Sequence, residues 1–445
     1  MVMRALDFIL AIHRAVAALG SRAGRSESAR LGRRKTAARF LLALVVFSGK
    51  ALAGGIQIHE LSASAIGTGG AFAAVAANPS AIYFNPAGLS FQSGTRVLLG
   101  TTVVASRPTF RVPANGVTRM ENNVFFPSYL YVASSFAGGA GFGFGVYNPY
   151  GLKTEWPADW VGRFLVTKAS VTIFYLNPTV SFLIGKSAAI GLGFDYILGS
   201  AELERRIELP PVYPGEGQLR LQGDGNGFTG NLGFLVRPSE RWSVGVSWRG
   251  RATVDVEGKA TYSAIPESLA AVFPGGEVST KLRLPDNFSF GLAYSPNDDW
   301  VIAAEYQLVR WSTLEDVEIH FRTQTANQED FTIIQRWKDG EIVRLGAEHH
   351  VSGVWKVRAG FFLDLVPSAD EYVTPLVPEA DRTGLDFGFR YKVSTELSID
   401  VTYLYVASEE RTIVDSRVAI SPSGFFNGTY HATASMFALN LEYNL

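Results

Sequence analysis

From Thr95 onward the chain alternates with period two between large apolar residues and small or polar ones. That spacing places the two sets on opposite faces of a β-strand. In "IGLGFDYILG", Leu192, Phe194, Tyr196 and Leu198 share one face, with Gly193 and Asp195 opposite. "RWSVGVSWRG" sets Trp242, Val244, Val246 and Trp248 against Ser243, Gly245, Ser247 and Arg249. In "ELSIDVTYLYV", Leu397, Ile399, Val401, Tyr403 and Tyr405 face away from Ser398, Asp400 and Thr402. One such strand suits a soluble sandwich core or the lipid-facing wall of a barrel equally well.

The connections separate the two. Short ones fall at 135–141, 185–188, 237–241, 295–299, 351–354 and 393–396. Long polar or proline-rich ones fall at about 107–122, 148–165, 207–217, 256–276, 312–340, 365–382 and 407–429. Short and long alternate strictly, and these thirteen connections join fourteen strands. Short turns at one end and long loops at the other mark an up-and-down transmembrane barrel. A Greek-key sandwich has no reason to produce that alternation. Trp242, Trp300 and Trp355 each follow a short turn, where an aromatic girdle would lie. The final strand "FALNLEYNL" keeps Phe437, Leu439, Leu441, Tyr443 and Leu445 on one face, ready to close on the first. The predicted fold is all-β: a 14-stranded antiparallel transmembrane β-barrel over 95–445.

Residues 54–94 precede the first strand and break the pattern. Small residues dominate there, and Glu60 is the single acidic group. A barrel of fourteen strands is wide enough to hold such a segment as a hatch inside its lumen. The stretch "SAIYFNPAGLS", Ser80 to Ser90, is uncharged and kinked. Asn85, Pro86 and Ala87 read as the stop of a short helix and a rigid turn into the first strand. Asn85 is expected to hold that turn by hydrogen bonds.

Composition agrees. Hydrophobic residues make up 47% and charged residues 18%, with 30 Phe, 17 Tyr, 8 Trp and 45 Gly. The best helical candidate, Phe40 to Phe47, is far shorter than the roughly 18 residues a spanning helix needs. It follows Arg33, Arg34, Lys35 and Arg39 and precedes Ala51-Leu52-Ala53, so 1–53 reads as a signal peptide with an extended basic leader. That segment holds ten of the 40 basic and two of the 41 acidic residues. The remainder carries 30 against 39, a net charge of −9. Nucleic acid is therefore not expected as a partner.

Catalytic chemistry has little material. There is no cysteine, hence no thiolate ligand or nucleophile. His59-Glu60 begins like a zinc-protease motif, but position 63 is Ala. His349 and His350 are neighbours in a strand and point to opposite faces. No nucleophile elbow appears. No cofactor is expected, and the chain is read as a non-enzyme. The alternatives from other classes are a lipid hydrolase built on a barrel and a general diffusion porin. The loops bring Phe125, Phe126, Trp156 and Trp160 beside Lys153 and Arg163, the expected capture groove for an amphipathic molecule.

At "GGIQIHELSASAIGTGGAFAA", "NPAGLS", "NPYGLKTEWPADWVGRF" (148–164), "LPDNFSFGLAYSPNDDW" (284–300) and "GFFLDLVPSADEYVTPLVPEADRTGLDFGFRY" (360–391) the chain resembles the FadL/TodX family of outer-membrane transporters for hydrophobic compounds. The resemblance implies residence in the bacterial outer membrane and passive transport of long-chain fatty acids, or of aromatic hydrocarbons on the same scaffold. It implies hydrophobic small molecules, outer-membrane lipid and the barrel-assembly machinery as partners, and a monomer. It also implies a kinked third strand that opens a lateral exit. The matching stretch is "GAGFGFGVYNPYG", with Gly141, Gly143, Gly145, Asn148, Pro149, Tyr150 and Gly151. The chain departs from the pattern at its end, Leu445 where such barrels usually finish in Phe.

Overall fold

A computed structural model describes residues 55–445, apart from 113–115, 122, 315, 366 and 422–423. The leader proposed for 1–53 lies outside the described residues. Fourteen strands among the described residues close into one antiparallel barrel. They are β1 (Gly94–Ser106), β2 (Asn123–Phe125 and Ser128–Ser135), β3 (Ala140–Glu155), β4 (Lys168–Ile184), β5 (Ala188–Glu208), β6 (Glu216–Ser239) and β7 (Trp242–Arg249 and Ala252–Ser263). Then follow β8 (Gly276–Leu284 and Asn287–Asn297), β9 (Trp300–Val309 and Asp316–Phe321), β10 (Phe331–Ile334 and Gly340–His350), β11 (Trp355–Leu365), β12 (Arg382–Lys392), β13 (Leu397–Ser408) and β14 (Thr433–Asn444). Closure is made by β1 and β14, in register from Arg96↔Asn444 to Ser106↔Ala434. Among the described residues, this pairing removes the open edges that β1 and β14 would otherwise present.

The faces are reversed relative to a soluble protein. On β13, Tyr403 is 48% exposed while Asp400, two strand positions in phase with Thr402, is fully buried. A sandwich would bury the aromatic face and expose the carboxylate. Phe182, Phe194, Phe234, Phe290, Phe387 and Phe437 likewise point outward, where only lipid makes such a band favourable. Trp242, Trp300 and Trp355 sit in the outward rim at the short-turn end. They pack on Tyr294, His349 and Tyr391 with ring centroids 4.4, 4.3 and 4.6 Å apart.

All six short connections fall where the alternation predicts them. Three long ones are clearly shorter than read from the sequence: β3 runs on to Glu155, β7 runs on to Ser263, and β9 and β10 reduce 312–340 by running to Phe321 and starting at Phe331. Proline and glycine in those stretches suggested loops. The backbone nonetheless stays paired with neighbours, Glu155 with Lys168 and Ser263 with Gln218. Above the barrel, segments 109–112, 116–119, 411–413 and 428–431 form a small separate sheet.

Residues 55–93 contribute no barrel strand. They carry two single-turn helices, α1 (Ala63–Ile66) and α2 (Ala81–Phe84), and a 3₁₀ turn over Pro86–Phe91. Barrel side chains grip this hatch from around the wall. Thr102 of β1 donates to Glu60 O (2.9 Å), Ser135 of β2 to Leu89 O (2.7 Å), and Asn231 of β6 to Ile82 O (3.0 Å). Ser243 of β7 donates to Ala74 O (2.7 Å), and Thr402 of β13 to Ala63 O (2.6 Å). The fit is backbone to backbone at Gly346 and Gly360. A Cβ there would stand 2.2 Å from Thr68 O and 1.9 Å from Gly69 N.

Candidate functional site

The β3–β4 ladder slips by one residue between Tyr147 and Tyr150. Pairing of β3 with β2 ends at Val146, opposite Leu130. Pro149 has no amide to offer a ladder, so the irregularity settles there. Asn148 repairs part of it: its Nδ2 donates to the carbonyls of Tyr150 (3.0 Å) and Ile173 (2.6 Å). Beyond the slip, the free edge of β3 is taken by the hatch. Ile58 N donates to Pro149 O at 2.8 Å, and Gly151 N to Ile56 O at 2.9 Å, around a bridge between Gln57 and Tyr150. The first residues of the hatch thus act as a short added strand where β2 has left β3.

Gly141, Gly143 and Gly145 have a different reason from the one the sequence suggests. They face the lumen, and added Cβ atoms would meet Leu89 and Ile82 of the hatch. They make room for the plug, whereas the break itself belongs to Asn148, Pro149 and Tyr150.

The same hatch segment separates two chambers. Gly55 is in the left-handed region (φ +79°), and a Cβ there would lie 2.4 Å from Trp311 and 2.8 Å from Trp337. Ile56 turns toward an apolar cavity walled by Leu203, Leu221, Val256, Leu282, Val317 and Leu376. Gln57, Ile58, His59 and Glu60 turn toward a second cavity with a charged floor of Arg344, Asp364, Arg382 and Asp386 and an apolar roof including Phe125, Phe362 and Met436. A chain-like amphiphile finds a dry trough on one side of the segment and polar partners on the other.

The charged floor is only partly self-satisfied. Arg382 Nε donates to Asp364 Oδ2 at 3.1 Å, and Asp386 Oδ1 accepts from Gly69 N at 3.3 Å. Glu305 spends one oxygen on the hatch amides of Phe72 (3.0 Å) and Ala73 (2.8 Å). Burial keeps His59 well below the ordinary histidine range, so it is neutral at pH 7. Burial likewise raises the Glu60 carboxyl. Glu60 Oε2 accepts from His59 N at 3.0 Å.

Asn85 is fully buried in the hatch. Its Oδ1 accepts from Ala87 N (3.2 Å), and its Nδ2 donates to Ala73 O (2.8 Å) and to Phe234 O of β6 (3.1 Å). Pro86 opens the 3₁₀ turn that follows. The loop aromatics divide. Phe126 is 61% exposed, and Phe125 lines the charged chamber. Trp156 and Trp160 are buried instead, stacked on each other at 4.4 Å, with indole N–H groups donating to Pro375 O and Val166 O. Arg163 is held by Glu216 through Nε (3.0 Å) and Nη2 (2.6 Å). In this conformation those three residues build the loop cap, and neither indole face is open to an incoming molecule. Lys153 is exposed beside the charged chamber's neighbouring cavity. Arg344, Asp364 and Arg382 were missed by the sequence reading. Arg344 and Asp364 were signalled by a charge within an alternating strand, whereas Arg382 falls at the end of a stretch read as a connection.

A family model described as "Outer membrane protein transport protein (OMPP1/FadL/TodX)" matches residues 44–445. The chain is 26% identical over 430 residues to the 47 kDa outer membrane protein of Pasteurella multocida, covering 90% of this chain and 96% of that protein. It is 22% identical over 458 residues to the long-chain fatty acid transport protein of Salmonella typhi, covering 92% and 98%. Among solved structures, a Pseudomonas aeruginosa FadL homologue superposes with a TM-score of 0.78 at 17% identity, covering 88% of this chain and all of that one. The Pseudomonas putida toluene transporter TodX superposes with a TM-score of 0.69 at 16% identity, covering 88% and 100%. The inverted faces, the closed strand order, the hatch and the matched family model lead to one conclusion: the chain belongs to the OMPP1/FadL/TodX family of transport proteins of the bacterial outer membrane.

Proposed function

We propose that this channel takes up long-chain amphiphiles, long-chain fatty acids foremost. They are captured at the loop end and pass the hatch, leaving sideways where β3 breaks from β2. The observation that carries the reading is the paired chamber on the two sides of Gly55–Glu60, apolar on one and charged on the other. A tail gains by leaving water along Leu203, Leu221 and Val256. A carboxyl head needs a donor, and Arg344 stands on the charged floor. An aromatic hydrocarbon has no head to use that floor, which favours the acid over toluene. Passage requires Ile56–Ile58 to release β3, because those residues occupy the edge through which the tail would leave.

The test is uptake of labelled oleate and toluene by a strain whose own carriers of this family are deleted, with and without this gene. Oleate uptake restored by the gene, with toluene unchanged, is expected. Restoration of toluene alone would move the reading to hydrocarbons, and restoration of neither would remove it.

A further inference from the structure

We propose that the charged chamber selects, among long-chain acids, those bearing a hydroxyl close to the carboxyl group. The inference rests on the amphiphile reading above and specifies its substrate class. It comes from the polar atoms that the fold buries without a partner. Arg344 is 3% exposed, and its Nη1 has no hydrogen-bond acceptor; the nearest carboxylate oxygen, of Glu305, is 3.8 Å away. That donor suits a ligand carboxylate.

Two acceptors stand in the same chamber. Asp364 is 4% exposed and gives Oδ2 to Arg382, while its Oδ1 has no hydrogen-bond partner. Asp386 is 7% exposed and gives Oδ1 to Gly69 N, while its Oδ2 has none. Gln57 Oε1 is a third buried acceptor in that state. A plain fatty acid satisfies Arg344 and adds one more set of acceptors to a wall already short of donors. A hydrocarbon satisfies nothing. A 2- or 3-hydroxy acid brings a carboxylate for Arg344 and an O–H for Asp386 or Asp364 in one compact head. Sites built to bond a substrate hydroxyl discriminate strongly against the analogue that lacks it, because their own buried group is then left unpaired.

The experiment is binding of hexadecanoate and 3-hydroxyhexadecanoate to the purified barrel in detergent, read by displacement of a fluorescent fatty acid. The hydroxy acid is expected to bind at least about tenfold more tightly. Asp386→Asn keeps an oxygen for Gly69 N and puts an NH₂ where Oδ2 stands, so the preference should fall to near unity. Gly353→Ala, in an open turn, should leave it unchanged. Equal affinities in the parent, or a preference intact in both D386N and D364N, would overturn the proposal. Binding of neither acid would instead overturn the amphiphile reading beneath it. If D386N does not assemble into a heat-modifiable barrel, D364N is measured in its place: a preference near unity supports the proposal, and an intact one overturns it.

Discussion

The backbone amide of Ile58 in the hatch donates to the carbonyl of Pro149 in the barrel wall, 2.8 Å apart and 91 residues distant in sequence. Pro149 cannot join a ladder as a donor, so β3 frays there, and the hatch supplies the missing strand. One proline thereby links the plug to the wall. The connection also ties together two features the sequence suggested separately, a hatch at 54–94 and a bend within 139–151.

Removing the clamp on the hatch should loosen it. Asn85→Ala deletes three hydrogen bonds, two buried ones with Ala87 N and Ala73 O and a partly buried one with Phe234 O. The expected loss of hatch stability is on the order of 3 kcal/mol. Conductance of small ions through planar bilayers should rise several-fold, with the barrel itself intact by heat-modifiable mobility. Unchanged conductance would mean that Asn85 does not hold the hatch in place.

The close approach of hatch and wall predicts a sharp contrast between two glycines. A methyl group at Gly360 meets Gly69 N at 1.9 Å, whereas one at Gly353 meets nothing within 4 Å. Gly360→Ala should lower the melting temperature of the detergent-solubilised protein by several degrees, with a cost of about 1–3 kcal/mol from overpacking. Gly353→Ala should leave it unchanged. Equal shifts would show that the hatch yields freely at that point.

Acid and base should act on the long-loop end through Glu379. This carboxyl is buried in the connection between β11 and β12. Burial pushes it up to about 7 against an ordinary 4.5, with Arg382 and Arg411 opposing and Asp364 adding. At pH 4 the folded and unfolded chains are both protonated there, and the group costs nothing. Between those two values the unfolded chain loses its proton first, so the fold is progressively disfavoured as pH rises. Above pH 7 the penalty is complete, on the order of 3 kcal/mol. Glu379→Gln should therefore raise the melting temperature at pH 8 and leave it unchanged at pH 4. The same shift at both pH values would contradict the assignment.

Much of the barrel was legible because lipid and lumen impose a strict two-residue period. Strand count and turn positions follow from that period and from the contrast of short and long connections. The extra length of β3 and β7 was hidden, since Gly151 and Gly258 look like loop residues until their paired neighbours, Thr172 and Gly223, are seen. The role of Gly141, Gly143 and Gly145 was hidden for a related reason. A glycine opposite a hatch and a glycine in a bend look alike along the chain. Trp156 and Trp160 read as capture residues because they are aromatic and in a loop, but loops of this length form their own core with Phe110 and Phe426. The charged floor needed three dimensions, because Arg344, Asp364 and Asp386 come from three different strands.

The most direct test of the account is a disulfide between Gln57 and Tyr150, the facing pair of the hatch–β3 bridge. The chain has no cysteine of its own, so Gln57→Cys/Tyr150→Cys forms one defined cross-link. Uptake of labelled oleate should be abolished in the oxidised double variant and return on reduction, with both single variants active throughout. Uptake equal in the oxidised and reduced forms would show that the hatch need not leave β3, and the proposed route would be wrong.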